Sequence, residues 1–431
     1  VVAYGEPENG QGEFRIQGVP VTRIVEEFGT PTYVYDASRL ESVYRELRGL
    51  LRPEIDVFYS LKANPNVSVV RTLGRLGAGA EVSSLVELRT AQRAGISPAD
   101  TLFLGPGKTE AELAACLDAG LHAIVCESLA ELRQLEAAAT ARGLSSVDVL
   151  LRLNPDFPTK GSGLAMGGKP RQFGIDTRLL RAEKERLAAL SRVRVRGVHA
   201  YMGTRFLAHG DIVHNTREVL GLAADLAADL DIDLDTVDVG GGLGVAYFDN
   251  EEDLDVQALA RGLNAEADRF LRERPGCRLV LEVGRYLAAL CGTYVTRVLY
   301  VKESMGSDFV VTDGGTNHHM AAVGTGSFVK RNFPLVALTR YGSPADHEYT
   351  VTGPLCTPND VLGKKVRLPA VAPGDLIGVQ RSGAYGPSAS PGHFLSHGFP
   401  AEVLVHRGTP HLVRARDTAE DLLDRQRLAP L

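Results

Sequence analysis

No apolar stretch in this 431-residue chain approaches the roughly 20 residues that a helix needs to cross a bilayer. The opening residues, VVAYGEPENGQGEF, have neither the basic start nor the apolar core of a secretory signal. Basic clusters are also missing. The 47 Lys and Arg are scattered among 53 Asp and Glu, for a net charge of −6. Neither nucleic acid nor an anionic membrane surface is therefore an expected partner. Cysteine is scarce: Cys116, Cys126, Cys277, Cys291 and Cys356 are the full set. They form no CxxC pair and no Cys/His cluster at metal-ligand spacing, so no metal is expected. An odd count without a disulfide framework suits a reducing compartment, and a cytoplasmic location is the expectation. Four of the five fall in apolar helix or strand patterns, where a buried free thiol is expected.

What is present is an ordinary globular composition, 44% hydrophobic and 23% charged, on a chain long enough for two domains. From about residue 55 a unit repeats: a short β-type run, a polar or glycine-containing end, then an amphipathic helical stretch. The β-type runs are 55–63, 79–83, 101–105, 122–127, 147–154, 195–203, 236–242 and 278–284. Ser84-x-x-Glu87, Thr109-x-x-Glu112 and Ser128-x-x-Glu131 read as capping boxes that open helices. Pro65 sits where a first-turn proline is welcome. Eight strands alternating with helices imply an α/β fold, a (β/α)8 TIM barrel, with a doubly wound open sheet as the alternative. Residues 155–178 form a long loop rich in Gly and Pro, and loops of that length inside a domain are usually functional.

After residue 285 the pattern changes to period-two runs separated by turn residues, a β-rich and antiparallel arrangement. FRIQGVPV and PTYVYD, near the N-terminus, either join this β domain or lead into the barrel. The expected division is 1–30 as a segment joining the β domain, 31–285 as the barrel and 286–431 as the β domain. DTAEDLLDRQRLAPL reads as a short terminal helix.

Active sites of such barrels lie at the C-terminal ends of the strands, which turns sequence position into a filter. Strand one ends in YSLKAN, placing Lys62 at the mouth, although any single strand-end lysine is more often merely solvated. Strand seven ends in Gly240, Gly241 and Gly242. Backbone N–H groups there could face a phosphate, or the run could be a tight turn. Strand eight ends in Glu282-Val283-Gly284-Arg285. Its carboxylate needs a cation, which could be Arg285 or a protonated ring nitrogen. An amine, a phosphate cradle and a carboxylate on one rim are together what pyridoxal 5'-phosphate (PLP) requires.

YSLKANPN, GPGK, RLNP, GVHAYMGT, DVGGGLG, EVGR, DGG, GPLC and SGAYG occur in this order between about residues 31 and 400. In these stretches the sequence resembles the fold-type III PLP-dependent decarboxylases, the group of the diaminopimelate, ornithine and arginine enzymes. The resemblance implies a PLP-binding barrel plus a β domain that takes strands from both chain ends. It implies Lys62 as the Schiff-base lysine and Glu282 as partner of the ring nitrogen. Gly240, Gly241, Gly242 and Gly284 would hold the phosphate. Arg285 would contact the phosphate or the substrate carboxylate, and Tyr385 would lie near the phosphate. Cys356 would enter the active site of the partner in a homodimer with shared sites and help protonate the product carbon.

Departures from the family pattern bear on the substrate. Where the family stacks a histidine on the cofactor ring, this chain has Tyr201, with His199 two residues earlier on the same strand face. Thr204 replaces the phosphate-binding serine. Thr357 stands where diaminopimelate and ornithine decarboxylases carry an acid after the cysteine, and the arginine after the DxG motif of the diaminopimelate enzymes is not evident. An unpaired charge in a closed site costs on the order of several kcal/mol, so cationic diamines and a distal carboxylate are expected to bind poorly. MGGKPRQFG, HAYMGT and CTPNDVLG resemble most a subgroup of this family from biosynthetic clusters, one member of which decarboxylates a glutamyl group tethered to a carrier protein. The expected activity is loss of the α-carboxylate from an amino-acid-derived substrate, with a carrier-tethered, glutamyl-like group as the best analogue. The alternatives are a decarboxylase of a free amino acid of the diaminopimelate, ornithine, arginine or lysine type, an amino-acid racemase, and an inactive partner-binding homologue.

Overall fold

The computed structural model describes residues 12–161, 164–166, 168–323 and 331–430. The opening stretch up to residue 11 and parts of the 155–178 loop lie outside the described residues. The chain divides into two compact units. One holds Val43–Val245 and Asp253–Tyr286; the other holds Val1–Ser42, Ala246–Glu252 and Leu287–Leu431.

The first unit is a closed barrel of eight parallel strands. They are β1 (Ile55–Ser60), β2 (Gly79–Val82), β3 (Thr101–Phe103), β4 (Ala123–Cys126), β5 (Val147–Asn154), β6 (Val193–His199), β7 (Thr236–Gly241) and β8 (Arg278–Val283). Pairing of β8 with β1 and of β4 with β5 closes the circle, so the open-sheet alternative is excluded. All eight strand runs read from the sequence are present. Phe58, Leu102, Leu104, Ala123, Val125, Leu150 and Val280 pack into one buried cluster contributed by several strands. Burying side chains of this size stabilises the barrel by roughly 1.5–3 kcal/mol each for the larger ones. Gly79 makes room for it, because a Cβ there would come within 2.5 Å of the Phe58 ring.

The helix starts follow the sequence with two corrections. Thr109 and Glu112 form a complete capping box. Ser84 and Ser128 cap their helices by accepting from Glu87 and Glu131 N–H. The two acids, however, take the N–H of Ser83 and Glu127, one residue before the cap. For Glu131 the reason is visible, since its other oxygen lies 2.6 Å from Lys108 Nζ. Pro65 is not in a first turn: the helix Val67–Gly74 is capped by Asn66, whose side chain accepts from Ser68 N–H. The long loop is partly ordered into strands. Leu164–Ala165 pairs antiparallel with Gly203–Thr204, and Ile175–Asp176 extends β5 in parallel.

The second unit is built on a sheet in the order Val361–Leu368, His347–Thr352, Ser307–Thr312, Gly292–Ser304, Thr32–Asp36, Ala401–His406, Thr409–Arg414. Leu335–Ala337 and Leu376–Val379 pair with each other, and the latter also with Gly292–Ser304. PTYVYD therefore belongs to this sheet, next to a strand from the C-terminal part of the chain. The sheet is mixed, not wholly antiparallel. Ser307–Thr312 runs parallel to His347–Thr352, and Thr32–Asp36 runs parallel to Ala401–His406. Long connections permit parallel pairing where a tight hairpin cannot. The terminal helix is present at Ala419–Leu423.

Candidate active site

Buried charged side chains of the first unit, among them Glu81, Glu127, Arg152, His199, Asp238 and Glu282, lie at or near the C-terminal ends of its strands. Lys62 lies on the single 3-10 turn Leu61–Ala63 directly after β1. Its Nζ is 2.8 Å from Glu81 Oε2 and 5.3 Å from the centre of the Tyr201 ring. The lysine side chain is 37% exposed while that of Glu81 is 1% exposed, so the amine can be reached and its counterion cannot. Ser83 Oγ donates to the other Glu81 oxygen at 3.1 Å.

Glu282, at the end of β8, and His199, at the end of β6, are both buried, with His199 Nε2 3.1 Å from Glu282 Oε1. Burial by itself would raise the Glu282 pKa. His199, Lys62 and Arg152 outweigh it and hold the carboxyl below the usual carboxylate range. Glu282 Oε2 is buried and receives no hydrogen bond from the described protein groups. Such an orphaned acceptor is costly unless a ligand meets it.

Asp238, on β7, is fully buried, and its Oδ1 accepts the Gly240 N–H at 2.8 Å. Burial and the neighbouring Glu282 push its pKa well up. Ligand atoms of His199, Asp238 and Glu282 lie within 4.8 Å of one another. The glycines after β7 are demanded by close backbone packing. At Gly240, φ is +69°, and a Cβ would meet Ala200 O at 2.5 Å and Tyr201 Cα at 3.0 Å. At Gly242, φ is +92°, and a Cβ would meet Gly203 O at 2.2 Å. A Cβ on Gly241 would collide with Glu282 O, and one on Gly284 with Ala63 and Ser60. Gly240 and Gly242 thus let the β7 turn approach the Ala200–Gly203 segment closely. Thr204 hydrogen-bonds Tyr201, whose own pKa is raised, chiefly by burial. Arg285 opens the short helix Arg285–Ala288 and is half-buried.

Arg152, on β5, pairs with Glu127 at 2.6 Å with both side chains buried, and lies 4.6 Å over the Phe173 ring. Glu127 Oε2 also accepts the Gly174 N–H at 2.9 Å, which ties down the C-terminal end of the long loop. Glu81, Asp238, Arg152 and Glu127 are not among the residues that the sequence reading singles out. The signal that could have found them is a charged residue inside or just after an apolar barrel strand, in GAEVS, TVDVGG, VLLRLN and HAIVCE.

Cys356, Thr357 and Tyr385 lie in the second unit. Cys356 is exposed and its thiol is free, whereas the other four cysteines are buried. Its loop wraps the buried Asp360, whose carboxyl accepts from Leu355 N–H, Thr316 N–H and Thr316 Oγ1 at 2.8, 2.8 and 3.0 Å. Tyr385 is half-buried, with φ +57°, a left-handed conformation uncommon outside glycine.

Residues 37–289 match the family described as pyridoxal-dependent decarboxylase, pyridoxal binding domain. The chain is similar to the L-glutamyl-[BtrI acyl-carrier protein] decarboxylase of Niallia circulans, 37% identical over 410 residues that span 94% of this chain and 96% of the relative. It is also similar to the diaminopimelate decarboxylase of Pseudomonas aeruginosa, 34% identical over 97% of this chain and 98% of that one. Among solved structures, the diaminopimelate decarboxylase of M. jannaschii in complex with L-lysine superposes with a TM-score of 0.88. It is 27% identical and covers 99% of this chain and 98% of its own.

Proposed function

Because the chain belongs to the family of pyridoxal-dependent decarboxylases, we propose that Lys62 is the residue that holds its PLP cofactor and that Glu282 faces the ring nitrogen. The enzyme is a PLP-dependent carboxy-lyase acting on an amino-acid-derived substrate. The donor set fits the cofactor. It offers a reachable primary amine at Lys62 and a buried carboxylate oxygen on Glu282 that still lacks a donor. These stand at the ends of the neighbouring strands β1 and β8, and that juxtaposition carries the proposal.

When bound, PLP supplies an electron sink for the pair left on the α-carbon as carbon dioxide departs. The chain's own residues prepare the site. Glu282, held ionised by His199, Lys62 and Arg152, favours a proton on the ring nitrogen. Glu81 keeps the Lys62 amine oriented at 2.8 Å. Tyr201, Thr204, Gly240, Gly241, Gly242, Gly284 and Arg285 are the proposed lining of the ring and phosphate site. In a homodimer, Cys356 of one copy would act as proton donor in the site of the other, with Tyr385 and Thr357 near the substrate; its exposed, free thiol supports this.

For the substrate, a free amino acid of the diaminopimelate class has the broader support, since diaminopimelate decarboxylases recur among the relatives and the solved structures. A carrier-held glutamyl group is the second reading, favoured by the 37% identical relative and by Thr357 in place of an acid. Carbon dioxide release measured across diaminopimelate, lysine, ornithine, arginine and a glutamyl-carrier thioester separates the two. Lys62→Ala is expected to abolish both the visible absorbance of bound PLP and its trapping by borohydride, together with activity. A variant that keeps covalent PLP would remove Lys62 from this role.

A further inference from the structure

Two buried carboxyl groups meet beneath the proposed cofactor site. Asp238 and Glu282 stand on the adjacent strands β7 and β8, whose register shifts between Asp238 and Gly241. An oxygen of each carboxyl lies within 4.8 Å of one on the other. Asp238 Oδ1 is occupied by the Gly240 N–H. Asp238 Oδ2 and Glu282 Oε2 are both buried and take no N–H or O–H from the other described residues. Two carboxyl groups can share a hydrogen bond only if one carries a proton, and two like charges this close in a closed site cannot both persist.

We propose that Asp238 is a neutral carboxylic acid that donates its proton-bearing oxygen to Glu282, and that it is a positioning residue for that carboxylate. The surroundings decide which partner keeps the proton. Glu282 accepts from His199 Nε2 and has Lys62 and Arg152 as nearby cations. The acidic neighbours of Asp238 are Glu282 and Glu81, and its backbone donor is the Gly240 N–H. Burial raises the pKa of both carboxyls, and His199, Lys62 and Arg152 bring only that of Glu282 back down, so the proton stays on Asp238.

The consequence is a chain of contacts from the β7 turn to the ring partner. Gly240 N–H holds Asp238, Asp238 O–H holds Glu282, and His199 holds Glu282 Oε1; each carboxylate oxygen has two lone pairs, so Oε2 keeps one for the ring nitrogen. Glu282 then presents one negative charge in one orientation. That consequence rests on the reading that Glu282 meets the ring nitrogen, whereas the proton on Asp238 does not.

The protonation is read on the protein without cofactor. Infrared difference spectra of the wild-type apoprotein against Asp238→Asn at neutral pH should show the C=O stretch of a buried, protonated carboxylic acid that the substitution removes. Absence of that band overturns the proposal. So does a stoichiometric metal ion in the purified apoprotein that Asp238→Asn releases, because a cation would then bridge the three groups. PLP affinity tests the positioning. Asp238→Ala should weaken PLP about tenfold, as loss of one buried donor does. Asp238→Asn, which offers Glu282 a neutral donor of the same shape, should recover most of that loss. Equal weakening in both variants overturns the donor role. If Asp238→Ala does not fold, the infrared band and the Asp238→Asn affinity carry the test. Wild-type protein that shows the band but binds no PLP would instead count against the proposed function.

Discussion

Lys62 and Lys108 show how little a residue type says alone. Both belong to family-like stretches, yet the Lys62 side chain is 37% exposed beside a carboxylate, and the Lys108 side chain is 1% exposed. Lys108 Nζ donates to Gly105 O at 2.8 Å and Val125 O at 2.6 Å and pairs with Glu131 at 2.6 Å. It is a cross-strand staple between the segment after β3 and the strand β4. Lys108→Met removes the cation and leaves Glu131 without this partner, so a loss of about 3 kcal/mol is expected in urea denaturation. A change below about 1 kcal/mol would mean that the pair behaves as a surface one. Lys62 is legible in the sequence because it follows an apolar strand, and Glu282 and His199 are legible for the same reason. Glu81, Asp238 and Arg152 stand at comparable strand positions, but a charge within a strand carries no local sign of the partner it will meet.

At the scale of elements, local chemistry is legible and its partners are not. Ser84 and Ser128 do cap helices, but the returning acids reach one residue further back than a capping box requires. The GPLC loop draws attention through its cysteine, while the residue that shapes it is Asp360. Gly315 and Gly353 exist beside it because a Cβ on either would collide with that carboxyl. Asp360→Ala should cost about 2 kcal/mol through three lost hydrogen bonds, measured by urea denaturation. It should also change the rate at which Cys356 reacts with iodoacetamide. An unchanged rate together with unchanged stability would show that the loop holds its shape without Asp360.

For the whole molecule, histidines shielded from water set an acid limit. Burial pushes His122, His318 and His319 down to about 4 from a usual value near 6.5. His318 lies between Tyr294 OH and Gly398 O, and His319 faces Ser382 Oγ at 2.8 Å. The unfolded chain binds protons at these positions more tightly than the folded one. The contribution of these histidines to stability is therefore full above about pH 6.5 and falls as the pH drops towards 4. Thermal unfolding followed across that window should show the decline, and His318→Gln should flatten it. A decline of the same steepness in that variant would assign the proton uptake to other groups.

The alternation of strand and helix by itself determined the α/β class: eight apolar runs, each with a helix after it, fit a (β/α)8 barrel or an open doubly wound sheet, and the pairing of β8 with β1 decided for the barrel. It also marked Lys62 and Glu282, since strand ends in that fold open onto one rim. Only the tertiary structure decided that PTYVYD joins a sheet with Ala401–His406 and that this sheet is mixed, because pairing between distant segments leaves no local trace. The same holds for the carboxyl pair. The proton proposed to be shared by Asp238 and Glu282 rests on burial and closeness across neighbouring strands, and neither quantity is written in the spacing of residues along the chain.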